Sequence, residues 1–228
     1  MRHALSTRLW HWINAAAIVV LFMSGLTISN AHRRLYWGNY GFSPEDAWLH
    51  VMRFPGWATL PMFRYDLAEA RSWHNTAAWI FALGLLAYWF VILANGHFRR
   101  DIAAGPQSYR PAAIWGTIRG YLPGAARESS EKSTYNPLQR IAYAFVLGVF
   151  LPLMVMTGLA MSPGIEPAMP WLVEALGGRQ SARSLHFIAA FALLGFVIIH
   201  VAMVFVAGPI RTLGGMIVAR PRKEKANG

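Results

Sequence analysis

Four long apolar segments dominate the pattern of hydrophobic and polar positions along the chain. No Asp, Glu, Lys or Arg occurs within the runs 10–28, 74–94, 141–161 and 185–208, which are 19 to 24 residues long. As an α-helix, a segment of this length crosses a bilayer core of about 30 Å. The pattern therefore predicts an all-α integral membrane protein, a bundle of four transmembrane helices with spans at about 9–29, 73–95, 139–161 and 184–208.

The segments between the spans carry weaker helical signals. The cap-like run 43–46, Ser-Pro-Glu-Asp, predicts a short helix over 47–53. The stretch 112–122 is predicted to form a short interfacial helix, and Pro152 predicts a kink in the third span. We interpret residues 1–228 as one membrane-embedded domain. Its first span is expected to be retained, because it ends without a small-x-small cleavage site.

The composition agrees with a membrane protein, and the lack of cysteine excludes several kinds of cross-link and cofactor attachment. Of the 228 residues, 55% are hydrophobic and 14% are charged, which is too apolar for an ordinary soluble domain. The chain contains no cysteine. It therefore forms no disulfide, supplies no thiolate to an iron–sulfur cluster, and cannot attach a c-type haem covalently, which requires Cys-x-x-Cys-His.

The net charge of +11 is divided unevenly between the two sides of the predicted bundle. The N-terminus, the 95–140 loop and the C-terminal tail hold 14 Lys and Arg, whereas the 29–73 and 162–184 loops hold 7. By the positive-inside rule, both termini are expected in the cytoplasm, with the protein in the bacterial inner membrane. This bias also accounts for the high positive charge. We therefore predict no nucleic-acid partner, and interpret the basic tail 220–228 as an anchor to membrane lipid.

Four of the eight histidines lie within the apolar spans: His11, His74, His186 and His200. An ionisable side chain is costly there and usually has a partner or a function. His186 and His200 are 14 residues apart, so they share one face of the fourth span, about 21 Å apart along its axis. Because consecutive spans alternate in direction, His74 is expected beside His186 at the periplasmic end. His11 is expected beside His200 at the cytoplasmic end.

Two facing imidazoles in an apolar bundle suit a planar haem, which needs two axial ligands and an apolar slot. A zinc ion usually takes four ligands or keeps an open position among polar groups, and no Cys, Asp or Glu is near these histidines in the sequence. Each histidine alone could equally satisfy a hydrogen bond within the bundle, and a haem-free transporter with a histidine proton relay is an alternative. We favour two non-covalent b-type haems.

An arginine precedes three of these histidines by three positions, at Arg8, Arg71 and Arg183. On a helix such positions share a face, so each arginine is expected one turn outward of its histidine, where it would meet a haem propionate. The alternative is that they are ordinary cations flanking the spans. Gly25, which follows His11 by 14 residues, would leave room for a macrocycle or a neighbouring helix at the outer haem. We find no internal repeat beyond this Arg-x-x-His pattern.

Several of these segments resemble the bacterial di-haem cytochrome b family, the cytochrome b561-type proteins. They are RLWHWINA, FMSGL, RSWHNTAAW and LHFIAAFALLGFVIIH. The family includes the membrane subunits of nickel–iron hydrogenases, formate dehydrogenases and thiosulfate reductases, together with stand-alone quinone-linked cytochromes. The resemblance implies that the four span histidines are axial ligands of two haem b groups, and that quinone is an exchangeable substrate.

The predicted function is that of a membrane electron-transfer subunit of an oxidoreductase, which passes electrons between a periplasmic redox partner and the quinone pool. The alternative is a stand-alone oxidoreductase that takes electrons from a small diffusible donor such as superoxide. The 29–73 and 162–184 loops are expected to dock the partner. Their candidate contacts, which could equally be residues of the lipid interface, are Trp48, Trp57 and Trp171.

A quinone site is predicted at the cytoplasmic end of the second span. Asn95 and His97 could hydrogen-bond a quinone oxygen there, and His97 could exchange protons near neutral pH. The alternative is that Asn95 and Gly96 merely end the helix and that His97 is solvated.

Overall fold

The computed structural model describes residues 5–59, 66–96, 110–119 and 137–206, with single residues at 208, 209 and 213. Four helices in these ranges are long and apolar enough to cross a membrane: Thr7–Ala31, Leu67–Ala94, Gln139–Met161 and Arg179–Val206. Large apolar side chains on them stay exposed, Phe90 by 75% and Ile199 by 65%, as suits a surface in contact with lipid. The prediction of an all-α membrane protein with four spans is confirmed.

The helices of the described ranges follow one another as α1 Leu5–Ala31, α2 Leu67–Ala94, α3 Pro111–Arg119, α4 Pro137–Phe145, α5 Leu151–Met161, α6 Pro170–Ala175 and α7 Arg179–Val206. Helices α4 and α5 form the third span through a π-helical turn at Val146–Phe150, where the N–H of Leu151 donates to the carbonyl of Val146. Pro152 follows this turn by two residues and has no N–H to donate to the carbonyl of Gly148. The helix is therefore locally widened just before Pro152, and the kink stays a prediction.

Helices α2 and α7 begin earlier than the apolar runs alone predict. Asp66 caps α2, because its Oδ1 accepts the N–H groups of Ala68 and Glu69 at 2.8 and 3.1 Å. The additional first turns contain charged residues and therefore lie outside the uncharged runs of the sequence. As a result, Arg71 and Arg183 belong to the regular helices that carry His74 and His186.

The loop after α1 differs from its prediction. Instead of a helix over 47–53, the chain forms a 3-10 turn at Pro44–Asp46 and a strand at Leu49–His50. This strand pairs with Arg34–Leu35 in antiparallel register, Leu35 opposite Leu49. The helix prediction was wrong because Ser43 makes no side-chain capping bond, while burial of Leu35 and the pairing with a distant strand favour the extended form. The predicted helix at 112–122 is confirmed over Pro111–Arg119.

The start of α7 is held by the loop that contains Gly38. The carbonyl of Gly38 accepts the N–H groups of Gln180 and Ser181 at 2.9 and 3.2 Å. These amides belong to the first turn of α7, where a helix has no acceptor of its own to offer. Gly178 packs against this carbonyl with φ at +107°, and a Cβ there would lie 2.5 Å from the Gly38 oxygen. Only glycine fits both conditions. This contact positions the helix that carries Arg183 and His186.

By contacts the chain divides into two compact units. The first comprises Met1–Ile28, Phe54–Gly84 and Phe191–Gly228, and the second comprises Ser29–Arg53 and Leu85–Ala190. The core of the second is built by Ala160, Leu172, Val173 and Ala182. The interpretation of residues 1–228 as one domain and the cytoplasmic location of both termini stay predictions.

Candidate functional site

His11 and His200 face each other within the first unit. Their ring centroids are 6.3 Å apart and their planes are tilted by 45°. A metal–imidazole bond is about 2 Å long and the ring centroid lies roughly 1 Å beyond the nitrogen. Two imidazoles on one iron atom therefore have centroids about 6 Å apart. The spacing fits an iron atom held between the two rings.

Aromatic side chains surround this pair. Phe196 stacks on His200 at 5.9 Å, and Trp12 meets the His11 ring edge-on at 5.2 Å. Near the same end of α1, the indole N–H of Trp10 donates to the carbonyl of Gly84 on α2 at 3.0 Å. The histidines of this pair thus lie among apolar rings, in the kind of environment that a haem macrocycle needs.

His74 is held by α1 in the first unit. The Oγ of Ser24 lies 2.9 Å from Nδ1 of His74, and Ser24 is fully buried. The next residue, Gly25, lies against the same ring, because a Cβ there would be 3.6 Å from Cε1 of His74. Gly25 therefore lies close to the ring of His74, and its role beside an outer haem stays a prediction.

His186 has the same surroundings in the second unit. The Oγ1 of Thr157 on α5 lies 2.8 Å from Nδ1 of His186, and Thr157 is fully buried. A Cβ on the following Gly158 would be 3.7 Å from Cε1 of His186. The third span, which contributes no histidine of its own, thus contacts one through a hydroxyl group. His74 and His186 are described in separate units, and their pairing stays a prediction.

These contacts reveal a repeat that the sequence analysis missed. Met-Ser-Gly-Leu at 23–26 recurs as Met-Thr-Gly-Leu at 156–159, and each copy contacts the histidine of the following Arg-Ser-x-His segment. The repeat is visible in the amino-acid sequence itself. It is short, however, and common residues compose it, so its meaning depends on the two hydrogen bonds.

The three arginines of the Arg-x-x-His pattern all lie in helices, one turn before their histidines. Arg71 is exposed, while Arg8 and Arg183 are partly buried. Arg179, one turn before Arg183, forms an ion pair with Glu166 and also donates to the carbonyl of Met161 at 3.2 Å. The charge of Arg179 is therefore balanced within the chain. Propionate binding by Arg8, Arg71 and Arg183 stays a prediction.

Trp48 has a structural role that the sequence did not indicate. Its indole N–H donates to Oγ of Ser184 at 2.9 Å, and Ser184 donates to the carbonyl of Tyr36 at 2.7 Å. The indole also stacks on Trp37, with centroids 5.4 Å apart. These contacts attach the loop to α7 beside Arg183. The other two candidate docking residues, Trp57 and Trp171, are exposed by 81% and 56%, and the docking surface stays a prediction.

The predicted quinone site is only partly within the described residues. Asn95 is exposed directly after α2, and its N–H donates to the carbonyl of Val91 at 3.1 Å. Gly96 has φ at +68° and its N–H donates to Leu93, which is an ordinary glycine termination of a helix. His97 lies outside the described residues, and the quinone site stays a prediction.

Together, the four apolar helices are those of a multi-pass membrane protein, and two of its histidines face each other at a spacing that suits a haem iron. The family model of the prokaryotic cytochrome b561 proteins matches residues 2–218, nearly the whole chain. The chain belongs to this family. It is a membrane protein of electron transport that binds b-type haem, which favours haem over the haem-free transporter considered above.

The similar proteins include subunits of two kinds of enzyme. A putative protein-methionine-sulfoxide reductase subunit YedZ1 of Azospira oryzae is 34% identical over 92% of both chains. A probable Ni/Fe-hydrogenase B-type cytochrome subunit of Cupriavidus necator is 30% identical over 85% of this chain and 74% of its own. A protein of the same description from Azotobacter vinelandii is 27% identical over 85% and 75%. No solved structure matches the chain.

Proposed function

We propose that this chain is the electron-transfer subunit of a bacterial inner-membrane oxidoreductase, with two non-covalent haem b groups that link a periplasmic redox subunit to the quinone pool. The observation that carries this proposal is the 6.3 Å separation of His11 and His200, two histidines of separate spans in a cytochrome family. An inner haem would be held by these two rings. Bound haem supplies reversible one-electron chemistry, and the chain's residues bind and orient it.

An outer haem would be held by His74 and His186. The support for this pairing is the alternating direction of the spans. Both residues lie near the start of their helices, and the positive-inside rule predicts that both helices run inward. On α7, His186 and His200 are separated by nearly four turns, about 21 Å, so that one helix can supply a ligand to each haem. Two haems at these depths would allow an electron to cross the membrane in two short steps.

The arginines of the Arg-x-x-His pattern would neutralise haem propionates at the membrane surfaces. Arg71 and Arg183 stand one turn outward of the two outer ligands, and Arg8 stands one turn outward of His11. An uncompensated carboxylate at the edge of the apolar core is costly, whereas a charge-assisted hydrogen bond to guanidinium offsets that cost.

A soluble redox enzyme is the proposed partner. The three relatives above are described as subunits, one of a putative protein-methionine-sulfoxide reductase and two of probable Ni/Fe hydrogenases. All of these descriptions name a subunit of a redox enzyme, which favours a subunit over a stand-alone oxidoreductase. The excess of Lys and Arg in the N-terminus, the 95–140 loop and the tail supports a cytoplasmic location for both termini. The partner would then dock on the periplasmic 29–73 and 162–184 loops.

Optical spectroscopy tests the proposal directly. The purified protein is expected to contain two haem b per chain and to show a low-spin reduced-minus-oxidised difference spectrum, because two bis-histidine sites are proposed. Haem extraction, combined with quantification of the chain, measures the stoichiometry. A single haem per chain would contradict the two-haem arrangement, and a protein without haem would contradict the whole proposal.

Quinone is proposed to react near Asn95 and His97, close to the inner haem. In quinol-oxidation assays with an artificial acceptor, Asn95→Ala and His97→Ala are each expected to lower the turnover rate about fivefold. A lost hydrogen bond of about 1 kcal/mol has an effect of this size. The haem spectra should stay unchanged. His50→Ala is the control, because His50 is exposed in the outer loop, where it bonds the carbonyl of Pro44 at 3.0 Å. Wild-type rates and quinone affinity in both variants would exclude this site.

A further inference from the structure

We propose that Ser24 and Thr157 are positioning residues for two haem ligands. Each hydroxyl accepts a hydrogen bond from Nδ1–H of a histidine, His74 or His186, and thereby presents Nε2 of that ring to iron. This inference rests on the proposed function, in which these two histidines are axial ligands. It adds the two residues that select their tautomer and hold their ring orientation.

The direction of each hydrogen bond follows from where the hydroxyl proton goes. The Oγ of Ser24 lies 2.6 Å from the carbonyl oxygen of Val20, and the Oγ1 of Thr157 lies 2.7 Å from that of Leu153. A carbonyl oxygen can only accept, so the single hydroxyl proton is donated along the helix to it. The lone pairs of the hydroxyl oxygen then face the imidazole. Nδ1 must be the donor, and Nε2 carries the free lone pair that a metal requires.

The glycine after each hydroxyl complements this arrangement. Gly25 and Gly158 lie beside Cε1, the ring carbon next to Nε2, at distances of 3.6 and 3.7 Å for a Cβ built on them. A Cβ at position 25 would also come within 3.9 Å of Nδ1 of His74, the nitrogen that Ser24 bonds. Within each two-residue step, the hydroxyl therefore bonds the imidazole while the glycine lets the ring approach the helix closely.

The same arrangement occurs twice, in separate units and on different pairs of helices. In the first unit Ser24 of α1 holds His74 of α2, and in the second unit Thr157 of α5 holds His186 of α7. A hydroxyl on a helix can be satisfied by a carbonyl of its own helix alone. Thr76 is an example, since it is exposed and bonds the carbonyl of Ser72 at 2.9 Å. Recurrence of both hydroxyl and glycine at the two outer histidines favours a shared role in binding.

Such a contact would affect the redox potential of a bound iron as well as the orientation of the ring. A hydrogen bond from Nδ1–H shifts electron density onto the imidazole and makes Nε2 a stronger donor, which stabilises the ferric state more than the ferrous state. The hydroxyl is itself polarised by donating to a carbonyl, which strengthens it as an acceptor. Removal of either hydroxyl is therefore expected to raise the midpoint potential of the haem that its histidine binds.

The test uses Ser24→Ala and Thr157→Val, which delete the hydroxyls with little change in volume. At a fixed solution potential, the ratio of reduced to oxidised outer haem should rise about tenfold in each variant, equivalent to about 59 mV for one electron. The low-spin ferric EPR signal of that haem should also shift, because the ring loses the hydroxyl contact that orients it. Thr157→Ser keeps the hydroxyl and should restore both readouts. Thr76→Val is the matched control and should change neither.

Each outcome separates this inference from the proposed function. Two haems with unchanged potentials and EPR signals in both Ser24→Ala and Thr157→Val would overturn the positioning role and leave the haem sites intact. A shift of one haem by Ser24→Ala and of the other by Thr157→Val would support the positioning role but overturn the pairing of His74 with His186. If Thr157→Val does not fold, Ser24→Ala, which removes one atom on another helix, decides the question.

Discussion

Replacement of His200 with alanine is expected to leave one haem b per chain instead of two. The rings of His200 and His11 face each other within the first unit, at 6.3 Å, so loss of either ring would remove one ligand of the proposed inner haem. His11→Ala should have the same result. Haem quantification and the amplitude of the reduced-minus-oxidised spectrum measure the loss.

Combinations of these variants test how the four histidines are paired. The double variants His11→Ala/His200→Ala and His74→Ala/His186→Ala should each retain one haem, whereas His74→Ala/His200→Ala should retain none. The loop variant His50→Ala serves as the control and should keep both haems, because that residue is exposed and bonds only a loop carbonyl among the contacts described. Full haem content with a normal low-spin spectrum in His74→Ala or His200→Ala would contradict the ligand assignment.

Neutralisation of Arg183 is expected to lower the midpoint potential of the outer haem by about 70 mV. Reduction places an electron on the iron, and a nearby cation stabilises that state, so its removal favours the oxidised form. At roughly 10 Å and an effective dielectric constant of about 20, one unit charge is worth about 1.7 kcal/mol. For a one-electron couple this energy corresponds to about 70 mV. A spectroelectrochemical titration of Arg183→Gln measures the shift.

The neighbouring ion pair provides a control of matched charge. Glu166 and Arg179 neutralise each other one turn away from Arg183. The double variant Glu166→Gln/Arg179→Gln removes a cation and an anion together, so the outer haem should keep its potential. An Arg183→Gln variant without any shift, or a shift as large in the double variant, would contradict a specific interaction of Arg183 with the haem.

The spans were predictable because few backbone conformations are stable in the hydrocarbon core of a bilayer. Backbone groups in hydrocarbon must bond within their own segment, so an uncharged run of about 20 residues has to be helical. The starts of α2 and α7 were less predictable. They depend on Asp66 as a cap and on the Gly38 carbonyl, and both extend the helices through charged residues such as Arg71 and Arg183.

The loop after α1 shows where local signals fail. Ser-Pro-Glu-Asp at 43–46 has the composition of a helix start, yet Leu49–His50 pairs with Arg34–Leu35 and Trp48 bonds Ser184. These contacts join residues that are far apart along the chain. Their combined free energy exceeds the weak preference of a few residues for a helix, which a short window of sequence cannot reveal.

The sequence by itself determined the four spans, the absence of cysteine chemistry, and the placement of an arginine one turn before each of three histidines. These properties depend on hydropathy, composition and the 3.6-residue helical period, all of which are local. Only the tertiary structure decided that His11 and His200 approach to 6.3 Å, that Gly25 contacts His74, and that Ser24 and Thr157 face histidine nitrogens. The physical reason is that such contacts depend on how helices pack side by side, and packing is set by many side chains together.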